Sequence, residues 1–196
     1  MTEKKARVHS AGVGAQPRQR RDPASAWVVD AYRTHFRSTW ALVGRLGVPP
    51  SHVEDVVQEI FLVLHRRRAD FRNESSVQTW LHGIALRVAR RHRTRVRRGQ
   101  TDPLPPEAPA RAPTIESTVH GRAALARLDR LLGQLPEEQR EVFVLAEVAQ
   151  LQAPEIAQVM GTKLNTVYSR LRLARSRMKA SLEALQKAEG GTHGAA

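Results

Sequence analysis

The 196-residue chain contains no cysteine. That absence excludes disulfides, thiolate zinc sites and a cysteine nucleophile, and it fits a reducing compartment. Long apolar runs are also missing: nothing approaches the roughly 20 residues that a membrane-spanning helix needs. The first stretch, Met1 to Pro23, is polar and basic with no apolar segment. No signal peptide is therefore expected there, and the reading is of a soluble protein. Strand-like alternation and internal repeats are absent. So are a Gly-rich phosphate loop, a G-x-S-x-G elbow and an H-E-x-x-H pair. The eight histidines are scattered; His82, His92 and His120 read as surface residues. No enzyme activity, cofactor or metal is expected.

Acidic residues are scarce as well: 19 Asp and Glu stand against 32 Lys and Arg, a formal net charge of +13. Such a balance favours a polyanionic partner, since each phosphate neutralised releases condensed counterions. The bland alternative is charge that serves solubility alone.

What the chain does have is helical periodicity. Residues 1–24 are polar, with Gly12, Gly14, Pro17 and Pro23, and read as a disordered extension. From Ala26 to Leu46, Val29, Tyr32, Phe36, Trp40 and Val43 recur at helical spacing until Gly47, Pro49 and Pro50 intervene. Ser51 with Glu54 predicts a capping box. Val53, Val56, Val57, Ile60, Phe61 and Leu64 then form an apolar stripe, closed by Arg66, Arg67 and Arg68. Residues 69–76 read as a loop, and Ser75 with Gln78 predicts a second capping box. Val77, Trp80, Leu81, Ile84, Ala85 and Val88 give the next stripe, with Trp80 in its core. The opposite face carries Arg87, Arg90, Arg91, Arg93, Arg95, Arg97 and Arg98. Pro103, Pro105, Pro106, Pro109 and Pro113 exclude a continuous helix and mark a stiff linker.

A second helical module follows. Leu125, Leu128, Leu132 and Leu135 mark one helix, and Pro136-Glu137-Glu138 starts another. Pro154 opens a short helix that ends at Gly161, and Val167, Leu171, Ala174, Met178, Leu182 and Leu185 line a longer one. The expected fold is all-α: two small helical domains joined by the Pro-rich linker. The boundaries are 1–24 for the extension, 25–98 for the first domain, 99–119 for the linker, 120–187 for the second domain and 188–196 for a flexible tail.

Three constellations carry the functional reading. The short helix, Gly161 turn and longer basic helix form a helix-turn-helix pattern, whose second helix enters the major groove. That helix begins near Asn165 and exposes Thr166, Tyr168, Ser169, Arg170, Arg172 and Arg175; an ordinary helical hairpin is the alternative. The seven arginines between Arg87 and Arg98 have no obvious acidic partners nearby in sequence, so a polyphosphate track is the simplest partner, against a solvated face. Glu54, Asp55, Gln58 and Glu59 form an acidic spot on a basic protein. Asp55 and Glu59, with His52 near, could share a cation, but no further ligand cluster supports that. A protein-binding patch fits better, and a plain solvated face stays open.

The run Glu54-Asp55-Val56-Val57-Gln58-Glu59-Ile60-Phe61, then Phe71-Arg72, then Thr79-Trp80-Leu81-His82-Gly83-Ile84-Ala85 resembles region 2 of the extracytoplasmic-function (ECF) sigma factors of the sigma-70 family. Leu135-Pro136-Glu137-Glu138-Gln139-Arg140-Glu141-Val142-Phe143, then Glu155-Ile156-Ala157, then Thr166-Val167-Tyr168-Ser169-Arg170-Leu171 resembles their region 4. The resemblance covers roughly residues 26–98 and 120–185. It implies a bacterial, cytoplasmic transcription initiation factor that binds core RNA polymerase and promoter DNA. Asp55, Gln58 and Glu59 would dock the clamp helices of the largest subunit. The loop of Phe71, Arg72, Asn73, Glu74 and Ser75 would capture a flipped base of the minus-ten strand, with Arg87, Arg90 and Arg91 on its phosphates. Lys163, Thr166, Tyr168, Ser169, Arg170, Arg172, Leu173 and Arg175 would read the minus-thirty-five element. The flap of the second-largest subunit and an anti-sigma factor are further partners it implies; no membrane insertion is.

Three positions depart from the family pattern: Arg87 stands where Asn is usual, Thr162 follows Gly161 in place of an apolar residue, and Leu173 occupies a position that is often polar. Other classes remain in view. A regulator with a response-regulator-like helix-turn-helix would lack the acidic patch and the Trp-bearing basic helix. A helical adaptor would not need the arginine face, and a nuclease would show Mg²⁺-dependent cleavage.

Overall fold

The computed structural model describes residues 23–100 and 119–191. Residues 1–22 of the expected N-terminal extension (1–24), the proline run of the linker and the last five residues lie outside the described residues, while residues 23 and 24 already belong to the first helix. Among the described residues every regular element is helical. They are α1 (Pro23–Arg45), α2 (Val53–Arg66), α3 (Val77–Arg97), α4 (Val119–Gly133), α5 (Glu137–Phe143), α6 (Ala153–Met160) and α7 (Leu164–Gly191). A π turn, Val144–Val148, continues α5.

The apolar stripes decide which faces meet. Val53, Val56, Val57, Ile60, Phe61 and Leu64 are all buried on α2. They pack against α1 and α3, where Leu42, Val43, Leu46, Leu81, Ile84 and Ala85 are buried in turn. Truncating a leucine here, such as Leu64, costs about 2–5 kcal/mol, lost transfer energy plus the cavity left behind. On α1 the stripe is buried only at its C-terminal end: Val43 is fully covered, whereas Val29 and Tyr32 stay 43% and 44% exposed. In the second module α5 packs on α7 through Val142, Val167, Leu171 and Ala174. Leu182 is 40% exposed, so the distal part of α7 leaves the core, and the helix continues to Gly191, into the segment expected as a flexible tail.

Both capping expectations are corrected. Ser51 lies inside a single 3-10 turn, Pro50–His52, and α2 starts after His52 without a side-chain cap. The cap of α3 is Ser76, not Ser75: the Thr79 backbone N–H donates to Ser76 Oγ over 3.0 Å. Two adjacent serines compete for such a role, and the one that closes the first turn prevails. A cap that the sequence reading missed is Glu155, whose Oε2 accepts from the Gln152 N–H at 2.8 Å at the start of α6.

His82 and His92, expected at the surface, are 2% and 9% exposed. His120 is the exception, since its side chain lies outside the described residues. Burial, and to a lesser extent His35, holds the His82 pKa down to about 4, with Glu155 opposing. His82 is therefore a neutral core residue near neutral pH, packed into the most buried stretch of α3. His92 sits against His52 at 4.9 Å between ring centroids, and burial lowers its pKa too.

The two modules are not merely tethered. α3 packs on α6, α1 touches the π turn, and the buried apolar residues of both halves form one connected cluster.

Candidate nucleic-acid and partner interfaces

On α2 the stripe that is buried leaves the opposite face free. Asp55 and Gln58 are exposed and Glu59 is half-buried. Leu62, 49% exposed, continues that face at i+7 from Asp55. Sequence reasoning passed over Leu62, although its place off the core stripe was the available signal. An open apolar groove of about 640 Å³ adjoins this face, between α1 and α2, lined by Val29, Tyr32, Phe36, Gln58, Phe61 and Leu62 among others. Glu59 also pairs with Arg91 of α3. Among the described residues no group of His, Asp and Glu suits a metal ion.

The loop after α2 forms a cavity of about 420 Å³, lined by Arg67, Asp70, Phe71, Arg72, Glu74, Ser75, Trp80 and Gln158 among others. Phe71 is held on Trp80 at 5.2 Å and on Trp27 at 5.7 Å between ring centroids, an aromatic shelf rather than a loose side chain. Asn73 takes a left-handed conformation, φ +58°, which Asn tolerates better than most residues and which turns the chain back toward α3. Trp80, expected in the core, is half-buried and divides its surface between core and cavity. Among the described residues neither exposed Arg72 nor exposed Arg87 forms an ion pair; partial desolvation of the Arg87 guanidinium, and the nearby Arg67, lower its pKa.

The arginine face of α3 corrects the sequence reading most. Acidic partners exist, but they are remote in sequence. Arg90 donates through Nε and Nη2 to the two oxygens of Glu141 at 3.0 and 2.6 Å. Arg93 Nη2 reaches Glu141 at 2.6 Å and Glu137 at 2.7 Å, and its Nη1 donates to the Leu46 carbonyl. Arg97 binds Glu137 at 2.8 Å. Glu141 is 1% exposed and Arg93 8%, so the centre of this cluster is buried while Arg97 stays exposed. Burial pushes the Glu137 carboxyl up, but the hydrogen bonds from Arg93 and Arg97 outweigh it and hold its pKa below the usual range. The hydrogen bond to Glu141 raises the Arg90 pKa. Among the described residues Arg87 and Arg95 of α3, and Arg98 just after it, are exposed and form no ion pair.

In the second module, α6 ends at Gly161, whose φ of +64° is the left-handed cap that lets the chain turn into α7. Tyr168, Ser169 and Arg172 lie on one exposed face with Asn165, at i+3, i+4 and i+7 from it. Lys163 and Leu173 are exposed beside them, and Thr166 is half-buried. Ser169 Oγ donates to the Thr166 carbonyl at 3.0 Å. Two of the expected cations are engaged: Arg170 pairs with Glu138, and Arg175 donates twice to Glu147 Oε1, at 2.9 and 2.7 Å. Among the described residues Arg172 has no ion pair.

An acidic, partly apolar helix face, an aromatic cavity flanked by arginines and a helix-turn-helix with an open polar face thus follow one another along the chain. Residues 31–99 match the family description "Sigma-70 region 2" and residues 125–178 match "Sigma-70, region 4". The chain is 31% identical over 157 residues to the RNA polymerase sigma factor NccH of Alcaligenes xylosoxydans xylosoxydans, covering 78% of this chain and 84% of that protein. It is 32% identical over 151 residues to the ECF RNA polymerase sigma-E factor of Escherichia coli K12, covering 69% and 75% of the two chains. Among solved structures, CnrH in complex with the cytosolic domain of CnrY superposes with a TM-score of 0.61 at 26% identity, over 80% of this chain and 88% of that one. The protein belongs to the sigma-70 family, in its ECF group.

Proposed function

We propose that the protein binds core RNA polymerase, recognises minus-ten and minus-thirty-five promoter elements and supports promoter opening. The observation that carries this is the presence, on one chain and in order, of the α2 face, the Phe71 cavity and the α7 face. Asp55, Gln58 and Glu59, with Leu62, form the docking face for the clamp helices of the largest subunit. A helix face with charged residues around an exposed leucine has the mixed character of a protein interface.

The loop of Phe71, Arg72, Asn73, Glu74 and Ser75, with the cavity it borders, receives a flipped base of the minus-ten strand. Extrusion costs a few kcal/mol (roughly), offset by stacking and edge contacts in a fitted site. Arg87, with Arg90 and Arg91 once their carboxylates are released, holds the adjoining phosphates. Lys163, Thr166, Tyr168, Ser169, Arg172 and Leu173 read the minus-thirty-five element, and Arg170 and Arg175 brace that helix from behind. The flap of the second-largest subunit receives region 4. A protein that holds the factor inactive is a further partner, supported by the solved complex of CnrH with the cytosolic domain of CnrY.

The test is holoenzyme assembly. Labelled chain titrated with core polymerase should bind saturably, and Asp55→Lys with Glu59→Lys should weaken that binding at least about tenfold, as for removing paired interface charges. An unchanged affinity would remove the docking face from the proposal.

A further inference from the structure

We propose that Leu173 reads the 5-methyl group of a thymine in the upstream promoter element, so that this chain selects thymine at one base pair by apolar contact. This rests on the reading of α7 as the minus-thirty-five helix and adds the chemistry that one of its positions recognises.

The core side of α7 is set by Val167, Leu171 and Ala174, all buried. The side turned away from them carries Asn165, Tyr168, Ser169, Arg172, Leu173 and Ser176, all exposed. These stand at i+3, i+4, i+7, i+8 and i+11 from Asn165, one continuous helical face. Leu173 is 44% exposed and stands outside the core cluster. Leu182 is about as exposed, but it follows Met178 by four residues and so continues the stripe that packs on the core. Leu173 follows the buried Leu171 by two residues, which turns it to the opposite side.

The charges around it sharpen the point. Arg170 and Arg175 are drawn to Glu138 and Glu147, and Arg177 donates to Gln139 at 3.0 Å. The exposed face therefore offers an amide, hydroxyls and the Arg172 guanidinium, with one leucine set among them. A leucine neither donates nor accepts a hydrogen bond. Pressed on the major-groove edge of guanine, adenine or cytosine, it would strip water from polar groups and leave them unpaired. Thymine alone among the four bases presents a methyl group on that edge, and covering it with a leucine removes apolar surface from water. One side chain thus favours one base and penalises the other three, which is how specificity is built.

The experiment uses holoenzyme assembled from core polymerase and the full chain. It first selects its upstream element from duplexes randomised over the minus-thirty-five region. Each thymine of the selected element is then replaced singly by deoxyuridine, which removes the methyl group and nothing else, and binding is measured by competition. One such replacement should weaken wild-type binding about fourfold, the worth of one buried methyl group. Leu173→Asn keeps the size of the side chain at an exposed position and removes its apolar character; it should bind the thymine and deoxyuridine duplexes alike. A selected element in which no replacement matters, or a penalty of the same size in Leu173→Asn, overturns the methyl contact while the minus-thirty-five reading stands. Holoenzyme that selects no upstream element sinks that reading, and the methyl contact with it.

Discussion

Arg172 is exposed on α7 without an ion pair, whereas Arg170 and Arg175 are held by Glu138 and Glu147. Arg172→Ala is expected to cost about 1–3 kcal/mol of minus-thirty-five recognition, the worth of a guanidinium on a base edge. Binding measured across a panel of upstream sequences checks this; equal loss on all of them would make it a phosphate contact. Arg170→Ala should instead cost no more than about 1 kcal/mol of stability, as exposed pairs do.

His82 predicts an acid dependence. The folded imidazole resists protonation down to about pH 4, while the unfolded one binds a proton near the ordinary histidine pKa of 6.5. The unfolded state then takes up more protons as pH falls, so the stabilisation is complete above about 6.5 and lost progressively toward 4. The full loss is on the order of 3 kcal/mol. Urea melts at several pH values should show this slope, and His82→Leu should flatten it. His82 had looked like a surface residue because nothing in its own type separates a buried imidazole from an exposed one. Only its place inside a run of buried positions from Leu81 to Leu86 does.

At the scale of elements, the helix-turn-helix depends on Gly161. Its φ is +64° and no atom lies within 4 Å of a built Cβ, so Gly161→Ala tests the backbone alone. The expected cost is about 1–2 kcal/mol, the penalty for a left-handed L-residue. A melt of the full chain measures it, and no loss would mean that the turn relaxes.

Elements were also what the sequence made most legible. The stripes of α2 and α3 predicted both helices and their buried faces, because a 3.6-residue period is a local property. The helix-turn-helix was readable for the same reason, from Pro154, Gly161 and the α7 stripe. Capping was less legible: Ser75 and Ser76 are equally suited by type, and the choice between them depends on how the loop approaches α3. Leu62 was missed because a single apolar residue off the stripe carries little weight until the stripe is known to be saturated.

At the scale of the whole molecule, the sequence could not show that Glu137 and Glu141 meet Arg90, Arg93 and Arg97. Those partners are 40 to 51 residues apart, and no periodicity links them. From sequence the arginine face therefore reads as unpartnered, facing a polyphosphate or solvent. In the folded chain Arg90, Arg93 and Arg97 are instead taken up by the acidic helix α5. Because this cluster is ionic, its exposed member Arg97–Glu137 should weaken with salt, and the buried Arg93–Glu141 pair far less.

Run-off transcription on genomic fragments tests initiation most directly. Core polymerase plus the chain should give discrete start sites that core polymerase alone does not give, and Phe71→Ala should abolish them while leaving core binding intact. Transcripts that begin at the same scattered positions with and without the chain would contradict it.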